Sequence, residues 1–430
     1  MSQSFPDGAV PAWRARGPLL AVLVCVLVLY PACCLCLRGS ANGLLFLACA
    51  IGLLGLTRLG EGGAANWPSA RRDLALLGCL PVLATLINQV SRGVLVPKNF
   101  DLPLRFALLG PCLAAFGPLR PRHFRHLQWG LMAGALGALA MVLLASRGVA
   151  RANQIGALNA IPFGDISLLL GVLSLLTLGW RVTRTRVETV GKLLAGLAGL
   201  LASLLSQSRG GWLALPLFAA LLWWALRPAR RPGRRQVLLA GVLVLALALG
   251  AGRVAWPRLQ SAAQDVGAYV GGGPRDTAVG MRFQVWAASL TMLREHPLTG
   301  VGYDRFRPTL QAYAQAGRVS PAIAGLPHSH NEILFVASTT GLLGLLALLG
   351  VQLGPLRVLW PALRRGSRQT RCAAAMGLCV TLGFLVFGAT EVLFIISMTT
   401  AIYVFLTAAL LAFTLASASA DRARQGTQGH

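Results

Sequence analysis

The sequence predicts an all-α polytopic membrane protein with about 12 transmembrane helices and one folded, partly helical loop on the outer side. Of its 430 residues, 55% are hydrophobic and only 12% are charged. Apolar stretches long enough to cross a bilayer recur along the chain, and the basic residues gather in alternate connections. The net charge is +26, but so little charged surface excludes a soluble nucleic-acid-binding protein and a disordered basic chain.

The predicted spans follow one another with mostly short connections. A transmembrane helix needs about 20 predominantly apolar residues. Stretches near this length occur at 18–37, 41–57, 74–91, 102–117, 127–145, 162–180, 189–206, 210–226, 236–251, 328–354, 372–389 and 392–415. The first is predicted to be a retained helix, because a cleaved signal peptide has a shorter apolar core. Pro111 lies in the fourth span, which we expect to be broken or tilted.

The basic side chains predict the orientation. With the N-terminus inside, 24 of the 39 Lys and Arg residues fall in inner segments, 7 in short outer segments and 8 in one long outer loop. Inner loops carry the excess of basic residues, so both termini are predicted to be cytoplasmic. The predicted organisation is nine transmembrane helices over 1–251, a cap loop over 252–327, and three more helices with a cytoplasmic tail over 328–430.

The long outer loop has the pattern of a small folded cap. Apolar residues from Arg282 to Leu293 recur at helical spacing, and a second short helix is predicted near Pro308–Ala316. Between them, the segment 295–304 is a turn punctuated by Pro and Gly. The cap is predicted to cover the membrane domain and is too small for an independent enzyme domain.

Polar residues occur where the chain enters the helix after this loop. The segment Pro327-His328-Ser329-His330-Asn331-Glu332 precedes an apolar run, and ionisable residues at such positions usually serve a function. His330 is predicted in the first turn, where the positive end of the helix dipole favours a neutral imidazole, as a general base requires. The alternative is an interfacial histidine whose ring bonds to backbone.

Three outer-face arginines lie beside glycines or at helix edges: Arg147, Arg209 and Arg282. The guanidinium group offers a planar fork of donors that matches phosphate oxygens, so converging arginines would bind a lipid phosphate or diphosphate. The alternative is that each side chain extends to the membrane interface or a headgroup. With 37 Arg and only 2 Lys, a codon preference explains the choice of Arg equally well.

No metal or cofactor site is predicted. The nine cysteines lie within or beside apolar segments, and Cys33-Cys34-x-Cys36 lacks a second ligand pair. The acidic residues of the outer loop are scattered, without metal-ligand spacing. Glu295 and Glu332 are candidates to orient arginines, and Glu391 is expected to be solvated or paired with Arg.

The motifs together resemble those of bacterial O-antigen ligases. His330-Asn331 is followed after nine residues by Gly341 and then by Gly344, and the same count from His328 reaches Thr339 instead of Gly. The turn Ser208–Trp212 resembles the Arg turn of the wider ligase and polymerase family. Arg282 in Met-Arg-Phe-x-x-Trp resembles its second Arg, and the 300–302 Gly-Val-Gly resembles its loop motif. From spacing alone, Gly341 and Gly344 are read as a small-residue face for helix packing.

The resemblance implies glycosyl transfer on the periplasmic face of a Gram-negative inner membrane. A glycan on undecaprenyl diphosphate would pass to a sugar hydroxyl of lipid A–core, without metal or cofactor and with inversion. His330 would act as base, while Arg209 and Arg282 would stabilise the diphosphate. Arg147, Asn331 and His328 are the expected substrate contacts. The partners implied are the lipid-linked donor, the lipid A–core acceptor and membrane lipids, with no nucleic acid.

Three other functions stay open at this point. An O-antigen polymerase would use the same donor, but polymerases of this type usually have two substantial outer loops. A protein O-glycosyltransferase of related architecture would be expected to carry a C-terminal extracytoplasmic domain. A transporter or flippase of an anionic lipid should show paired broken helices and ionisable residues near mid-bilayer, whereas the ionisable residues here gather at the two faces.

Overall fold

The computed structural model describes residues 17–57, 69–147, 153–183, 185–227 and 260–428, apart from residue 262. This part of the chain is almost entirely helical. Its helices are α1 (Gly17–Cys33), α2 (Ser40–Thr57), α3 (Ser69–Ser91), α4 (Asp101–Ala107), α5 (Leu109–Phe116), α6 (Pro121–Phe124), α7 (Leu127–Ala145), α8 (Ala160–Leu176), α9 (Arg186–Leu205), α10 (Leu215–Leu226), α11 (263–270), α12 (Ala278–Glu295), α13 (Phe306–Gln315), α14 (Glu332–Leu353), α15 (Leu356–Arg365), α16 (Arg368–Phe387) and α17 (Ser397–Gln428). A two-stranded antiparallel hairpin pairs β1 (Gln154–Ile155) with β2 (Leu158–Asn159).

Seven helical segments of the described chain are long and apolar enough to cross a membrane. They are Ser69–Ser91, Pro121–Ala145, Ala160–Gly179, Arg186–Leu205, Glu332–Arg365, Arg368–Phe387 and Ser397–Gln425. Three shorter apolar helices occur at Gly17–Cys33, Ser40–Gly55 and Gly210–Leu226. The predicted span at 236–251 lies outside the described residues. The membrane class is therefore supported, and the count of about 12 spans stays a prediction.

The fourth predicted span is two short helices instead of one. Helix α4 ends at Ala107 and α5 begins at Leu109. Pro111 accounts for the break, because a proline ring clashes with the carbonyl four residues earlier, which here belongs to Ala107. The expectation of a broken or tilted span at this position matches the structure.

The centre of the bundle is formed by α8, α16 and α17, the most deeply buried of the spanning segments. Aromatic pairs hold it together: Tyr30 stacks on Phe405 with centroids 3.6 Å apart, and Tyr403 meets Phe384 edge to face at 5.1 Å. Peripheral helices expose apolar side chains, as α9 does with residues three or four apart on one face. Such a face suits contact with lipid tails.

The cap has its own small core, which continues into the membrane domain. Val285, Met292, Phe306 and Leu310 are buried together, and Phe335 of α14 packs against the same group. Helix α12 starts at Ala278 because the Thr277 hydroxyl accepts a hydrogen bond from the Gly280 backbone N–H at 3.1 Å. The two predicted loop helices are therefore present, with slightly wider bounds than the sequence predicts.

Helix α14 is broken in its middle, and the cap loop docks into the break. Gly341 has φ 66° and ψ −163°, a backbone conformation that is essentially restricted to glycine. The Val301 N–H donates to the Ser338 carbonyl at 2.9 Å, and the Leu342 N–H donates to the Pro297 carbonyl at 2.9 Å. The loop thus replaces helical hydrogen bonds that the break removes.

This docking corrects the helix-packing interpretation of Gly341 and Gly344. A Cβ on Gly341 would overlap the backbone of Leu298 and Thr299, so the close neighbour is the cap loop instead of a second helix. A Cβ on Gly344 would overlap the side chain of Thr340 in the same helix. Sequence spacing suggested a regular helix here and could not reveal the break.

Candidate active site

The site is built where the cap loop enters α14. Asn331 is the N-cap of this helix: its Oδ1 accepts from the Leu334 backbone N–H at 3.0 Å, and its Nδ2 donates to the Ala389 carbonyl at 3.1 Å. Both ends of the Asn331 side chain are therefore engaged within the protein. Asn331 thereby holds the start of α14 directly after His330, and its expected contact with substrate stays a prediction.

His330 is held in a strained backbone conformation beside this cap. Its φ is +51°, and the left-handed region costs a non-glycine residue roughly 1–2 kcal/mol. Its Nδ1 lies 3.4 Å from Oε2 of Glu391. A strained residue persists only where its surroundings hold it, and such residues cluster at active sites.

Glu391 is the partner that the sequence did not identify. It lies in the connection between α16 and α17, it is buried, and its Oε1 accepts from the Val392 backbone N–H at 3.0 Å. Burial opposes its ionisation, but the hydrogen bond with His330 and the nearby imidazoles outweigh this effect and lower the pKa of Glu391. The expectation that Glu391 is solvated or paired with Arg is wrong, because its partners are two histidines.

His328 packs against His330, with ring centroids 4.4 Å apart. Its Nδ1 accepts from the His330 backbone N–H at 3.3 Å and lies 3.7 Å from Oε1 of Glu391. Burial lowers the pKa of His328 to about 4, against a smaller opposing effect of Glu391. His328 is therefore neutral at physiological pH and presents a lone pair to its neighbours.

Ligand atoms of His328, His330 and Glu391 all lie within 4.8 Å of one another. Among the described residues, no other group of three or more His, Cys, Asp or Glu side chains is arranged to hold a metal ion. The prediction of no metal site considered the cysteines and the acidic residues of the outer loop, and did not consider Glu391 together with the two histidines. It could not foresee that Glu391, 61 residues further along the chain, meets the two histidines.

Glu332 fixes the connection that carries Glu391. Its Oε2 accepts from the backbone N–H groups of Leu393 at 2.6 Å and Phe394 at 2.9 Å, and its own N–H donates to the Gly388 carbonyl at 2.7 Å. Glu332 was a candidate to orient an arginine. Its described contacts instead tie the start of α14 to the α16–α17 connection.

The Arg209 turn lies against the same connection. Gly210 approaches Thr390, the residue before Glu391, so closely that an added Cβ would overlap the Thr390 side chain. Behind the turn, the Ser208 hydroxyl donates to Oδ1 of Asp165 at 3.2 Å. Arg209 is half-buried. The contact between Gly210 and Thr390 therefore places the Arg209 turn against the connection that also carries Glu391.

Arg282 lies on the helix that contacts the histidine loop. It is half-buried on α12, four residues before Trp286, so both side chains lie on one helix face. The Trp286 Nε1–H donates to the Ser329 carbonyl at 3.0 Å, which holds this face against the histidine loop. Among the described residues, no carboxylate forms an ion pair with Arg282.

Arg147 does not join this group. It is exposed just after α7, next to residues 148–152, which are outside the described chain. The hairpin that follows leads to Asn159, whose Oδ1 caps α8 by accepting from Ile161 N–H at 3.1 Å. Within the described residues, no contact links Arg147 to the His330 group.

Three side chains from the first half of the chain hold the cap in place, and no sequence motif identifies them. The buried Asn88 Nδ2 donates to the Thr299 carbonyl at 2.6 Å, and the carbonyls of Gly300 and Thr339 lie 3.3 Å from it. Arg92 forms a two-pronged ion pair with Asp304 at 2.7 and 2.8 Å. Asn99 also donates to Asp304, at 3.1 Å.

Glu295 pairs on the far side of the cap. Its carboxylate accepts from the hydroxyl of Tyr313 and from Arg318 at 3.2 Å. The hydrogen bond from Tyr313 is the main reason why the pKa of Glu295 is lowered. Glu295 therefore does orient an arginine, but that arginine is not one of the three candidates for the diphosphate.

A cavity of about 420 Å³ lies beside the histidine group. Its walls are mostly apolar and include Phe106, Phe335 and Phe394, while Lys98 and Glu332 contribute polar atoms. A cavity of this size and character suits part of a hydrocarbon chain with a polar end.

Comparison with known proteins supports the motif resemblance. Residues 193–349 match the family model of the O-antigen ligase domain. A protein of Haemophilus influenzae described as uncharacterized is 23% identical over 291 residues, which make up 65% of this chain and 71% of that protein. The matched segment contains the Arg209 turn, Arg282 and the start of α14 with His330, and this match supports the O-antigen ligase/polymerase superfamily.

Proposed function

We propose that this protein is an O-antigen ligase. It transfers a glycan from undecaprenyl diphosphate to a sugar hydroxyl of lipid A–core, at the periplasmic face of the Gram-negative inner membrane. The superfamily supports activity of the O-antigen ligase or polymerase type. The apolar cavity beside the site supports a donor carried on a lipid.

The pairing of His330 with Glu391 is the observation that carries this proposal. A carboxylate at Nδ1 favours the tautomer with its proton on that nitrogen, which leaves the Nε2 lone pair available as a base. The 3.4 Å separation lies at the long end of the range for a hydrogen bond. Glu391 also stabilises the imidazolium that forms when His330 accepts a proton.

The reaction is a single displacement. The acceptor oxygen forms a bond to the anomeric carbon while the bond from that carbon to the diphosphate oxygen breaks. The hydroxyl proton passes to Nε2 of His330, and the electron pair of the broken bond leaves with undecaprenyl diphosphate. One displacement inverts the anomeric centre.

Arg209 and Arg282 stabilise the charge that develops on the diphosphate. Fixed donors aimed at developing charge each contribute roughly 10²–10³ in rate in well-studied enzymes. The contact of the Arg209 turn with Thr390 and the hydrogen bond from Trp286 of the Arg282 helix to Ser329 support this role for both arginines. These arginines perform the role that a divalent cation has in many glycosyltransferases, and the reaction is proposed to be metal-independent.

Arg147 has a smaller proposed role, as a contact to a lipid headgroup on the periplasmic surface of the inner membrane. Its exposure favours this over a contact to the reacting diphosphate. Both termini are proposed to be cytoplasmic, from the distribution of basic residues.

The test is a reaction of purified protein with a lipid-linked glycan and lipid A–core in the presence of EDTA, with products identified by mass spectrometry. Transfer to lipid A–core that is lost in His330→Ala supports the ligase. Arg209→Lys and Arg282→Lys should each reduce the rate by about 10²-fold, because Lys keeps the charge but loses the fork of donors. A longer glycan on the lipid carrier would identify the protein as a polymerase. Transport of the lipid without glycan transfer would refute the proposal that the protein is an enzyme.

A further inference from the structure

His328, His330 and Glu391 converge from two separate elements. Both histidines precede α14, while Glu391 belongs to the α16–α17 connection. Oε1 of Glu391 lies 3.7 Å from Nδ1 of His328 and 3.4 Å from Nδ1 of His330. Contacts outside the trio hold each position: Trp286 binds the loop at Ser329, and the Val392 N–H binds Glu391.

The two separations from Glu391 are close to the spacing of ligands around a tetrahedral ion, and the ligand atoms of all three residues lie within 4.8 Å of one another. Bonds of about 2.0–2.1 Å at tetrahedral angles place ligand atoms about 3.3 Å apart. The distances of 3.4 and 3.7 Å therefore need only small movements of the side chains. An ion at Nδ1 of His328 would replace the 3.3 Å hydrogen bond from the His330 N–H, which is weak at that length.

The ligand types select the class of metal. Two imidazoles with one carboxylate suit Zn²⁺ and similar first-row ions, whereas Mg²⁺ and Ca²⁺ prefer sets of oxygen ligands. The histidines are half-buried, so the site is sheltered but open at one side. Three protein ligands with one open position for water are typical of accessible zinc sites.

We propose that His328, His330 and Glu391 form a binding site for Zn²⁺ or a similar divalent ion, and that the bound ion inhibits the enzyme. The binding site stands on the geometry alone. The inhibition rests on the proposed function, because it requires His330 to be the base.

Inhibition follows from the tautomer of His330. Without metal, the proton on Nδ1 faces Glu391 and the Nε2 lone pair is free. An ion bound at Nδ1 moves the imidazole proton to Nε2, so the ring stays neutral but Nε2 has no lone pair for the acceptor proton. The ion also withdraws the carboxylate that would stabilise the imidazolium. Removal of the ion restores the base.

The binding test is a titration of Zn²⁺ into chelator-stripped full-length protein by isothermal calorimetry. One equivalent should bind the wild type, and His328→Gln and Glu391→Gln should each weaken that binding at least about tenfold, since even outer-shell changes weaken metal sites by about 10–100-fold. His296→Gln is the matched control, because His296 ends α12 outside the trio. Co²⁺ absorption distinguishes this nitrogen and oxygen site from the free cysteines, whose thiolates add charge-transfer bands.

The activity test measures transfer with increasing free Zn²⁺, each variant being compared with its own rate in EDTA. Wild type should lose at least 90% of its rate at saturation and recover it in EDTA, and His328→Gln should need about tenfold more Zn²⁺. Equal binding by wild type, His328→Gln and Glu391→Gln would overturn the site. An unchanged or faster rate with Zn²⁺ bound would overturn the inhibition. If wild type transfers no glycan even in EDTA, the proposed function fails, and calorimetry still decides whether the metal site exists.

Discussion

Replacing Glu391 by Gln tests the carboxylate that orients His330. The substitution keeps the size of a buried side chain and its contact with the Val392 N–H, but it removes the negative charge 3.4 Å from Nδ1 of His330. Gln can present its N–H₂ group to the ring as readily as its oxygen. The variant therefore loses the preference for the tautomer with a free Nε2, and it loses stabilisation of the imidazolium.

The size of the effect follows from what is removed. General bases contribute about 10²–10⁴-fold to rates, and a misoriented or wrongly protonated base loses most of that. We expect kcat to fall about 10²-fold, which corresponds to about 2.7 kcal/mol of transition-state stabilisation. KM for the lipid-linked donor should change less than about threefold, because Glu391 acts through His330.

The assay is steady-state transfer to lipid A–core in EDTA, with folding checked by thermal unfolding in detergent. Glu295→Gln is the matched control: it also removes an outer-side carboxylate, but one that pairs with Tyr313 and Arg318. Its kcat should stay within about threefold of wild type. A folded Glu391→Gln protein with kcat equally close to wild type would refute the pairing as part of the mechanism.

Three further predictions concern the docking of the cap. Asn88→Ala removes the side-chain donor to the Thr299 and Gly300 carbonyls, while the Thr339 carbonyl keeps the Gly302 N–H. It should lower the free energy of unfolding by about 1–3 kcal/mol, measured by thermal unfolding in detergent. Gly341→Ala should abolish folding or transfer, whereas Gly43→Ala, at a site with open space, should be neutral in the same assays. The ion pair with Arg92 lowers the pKa of Asp304, so its stabilisation is present above the unfolded pKa of about 3.9 and is lost as pH falls through the folded pKa. Asp304→Asn should remove part of this acid sensitivity, and an unfolding curve with the same pH dependence as wild type would contradict it.

The helices were predictable because their signals are local. Each described apolar stretch contains a helix, and caps such as Thr277 and Asn331 stand directly before the helices that they start. The break between α4 and α5 was also predictable, since Pro111 acts on a carbonyl only four residues away.

The contacts that build the site were not predictable from single motifs, because they join distant parts of the chain. The His330 motif identified one member of the pair, but nothing near Glu391 marks it as the partner. Asn88 likewise has no sequence feature that distinguishes it from other polar residues near a helix end. Its side chain nevertheless donates hydrogen bonds to carbonyls of residues more than 200 positions along the chain. Such pairings depend on how the helices pack and have no signature at short range.

The break in α14 at Gly341 could not be predicted from the glycine motif. The spacing of Gly341 and Gly344 resembles a family pattern, but closely spaced small residues in a helix have two physical explanations. One is close packing of two regular helices, and the other is a backbone break that admits a loop. The positive φ of Gly341 shows that the helix is broken there. Because glycine adopts positive and negative φ about equally readily, the sequence does not predict this angle.

The rate of glycan transfer by His330→Ala in a single turnover tests the central claim most directly. Purified wild type and variant are mixed with lipid-linked glycan and lipid A–core in EDTA, so that neither metal nor product release affects the rate. If His330 is the base, the variant reacts at least about 10²-fold more slowly while it still binds the donor. A variant that is folded and transfers within tenfold of wild type would contradict the assignment of His330 as the base.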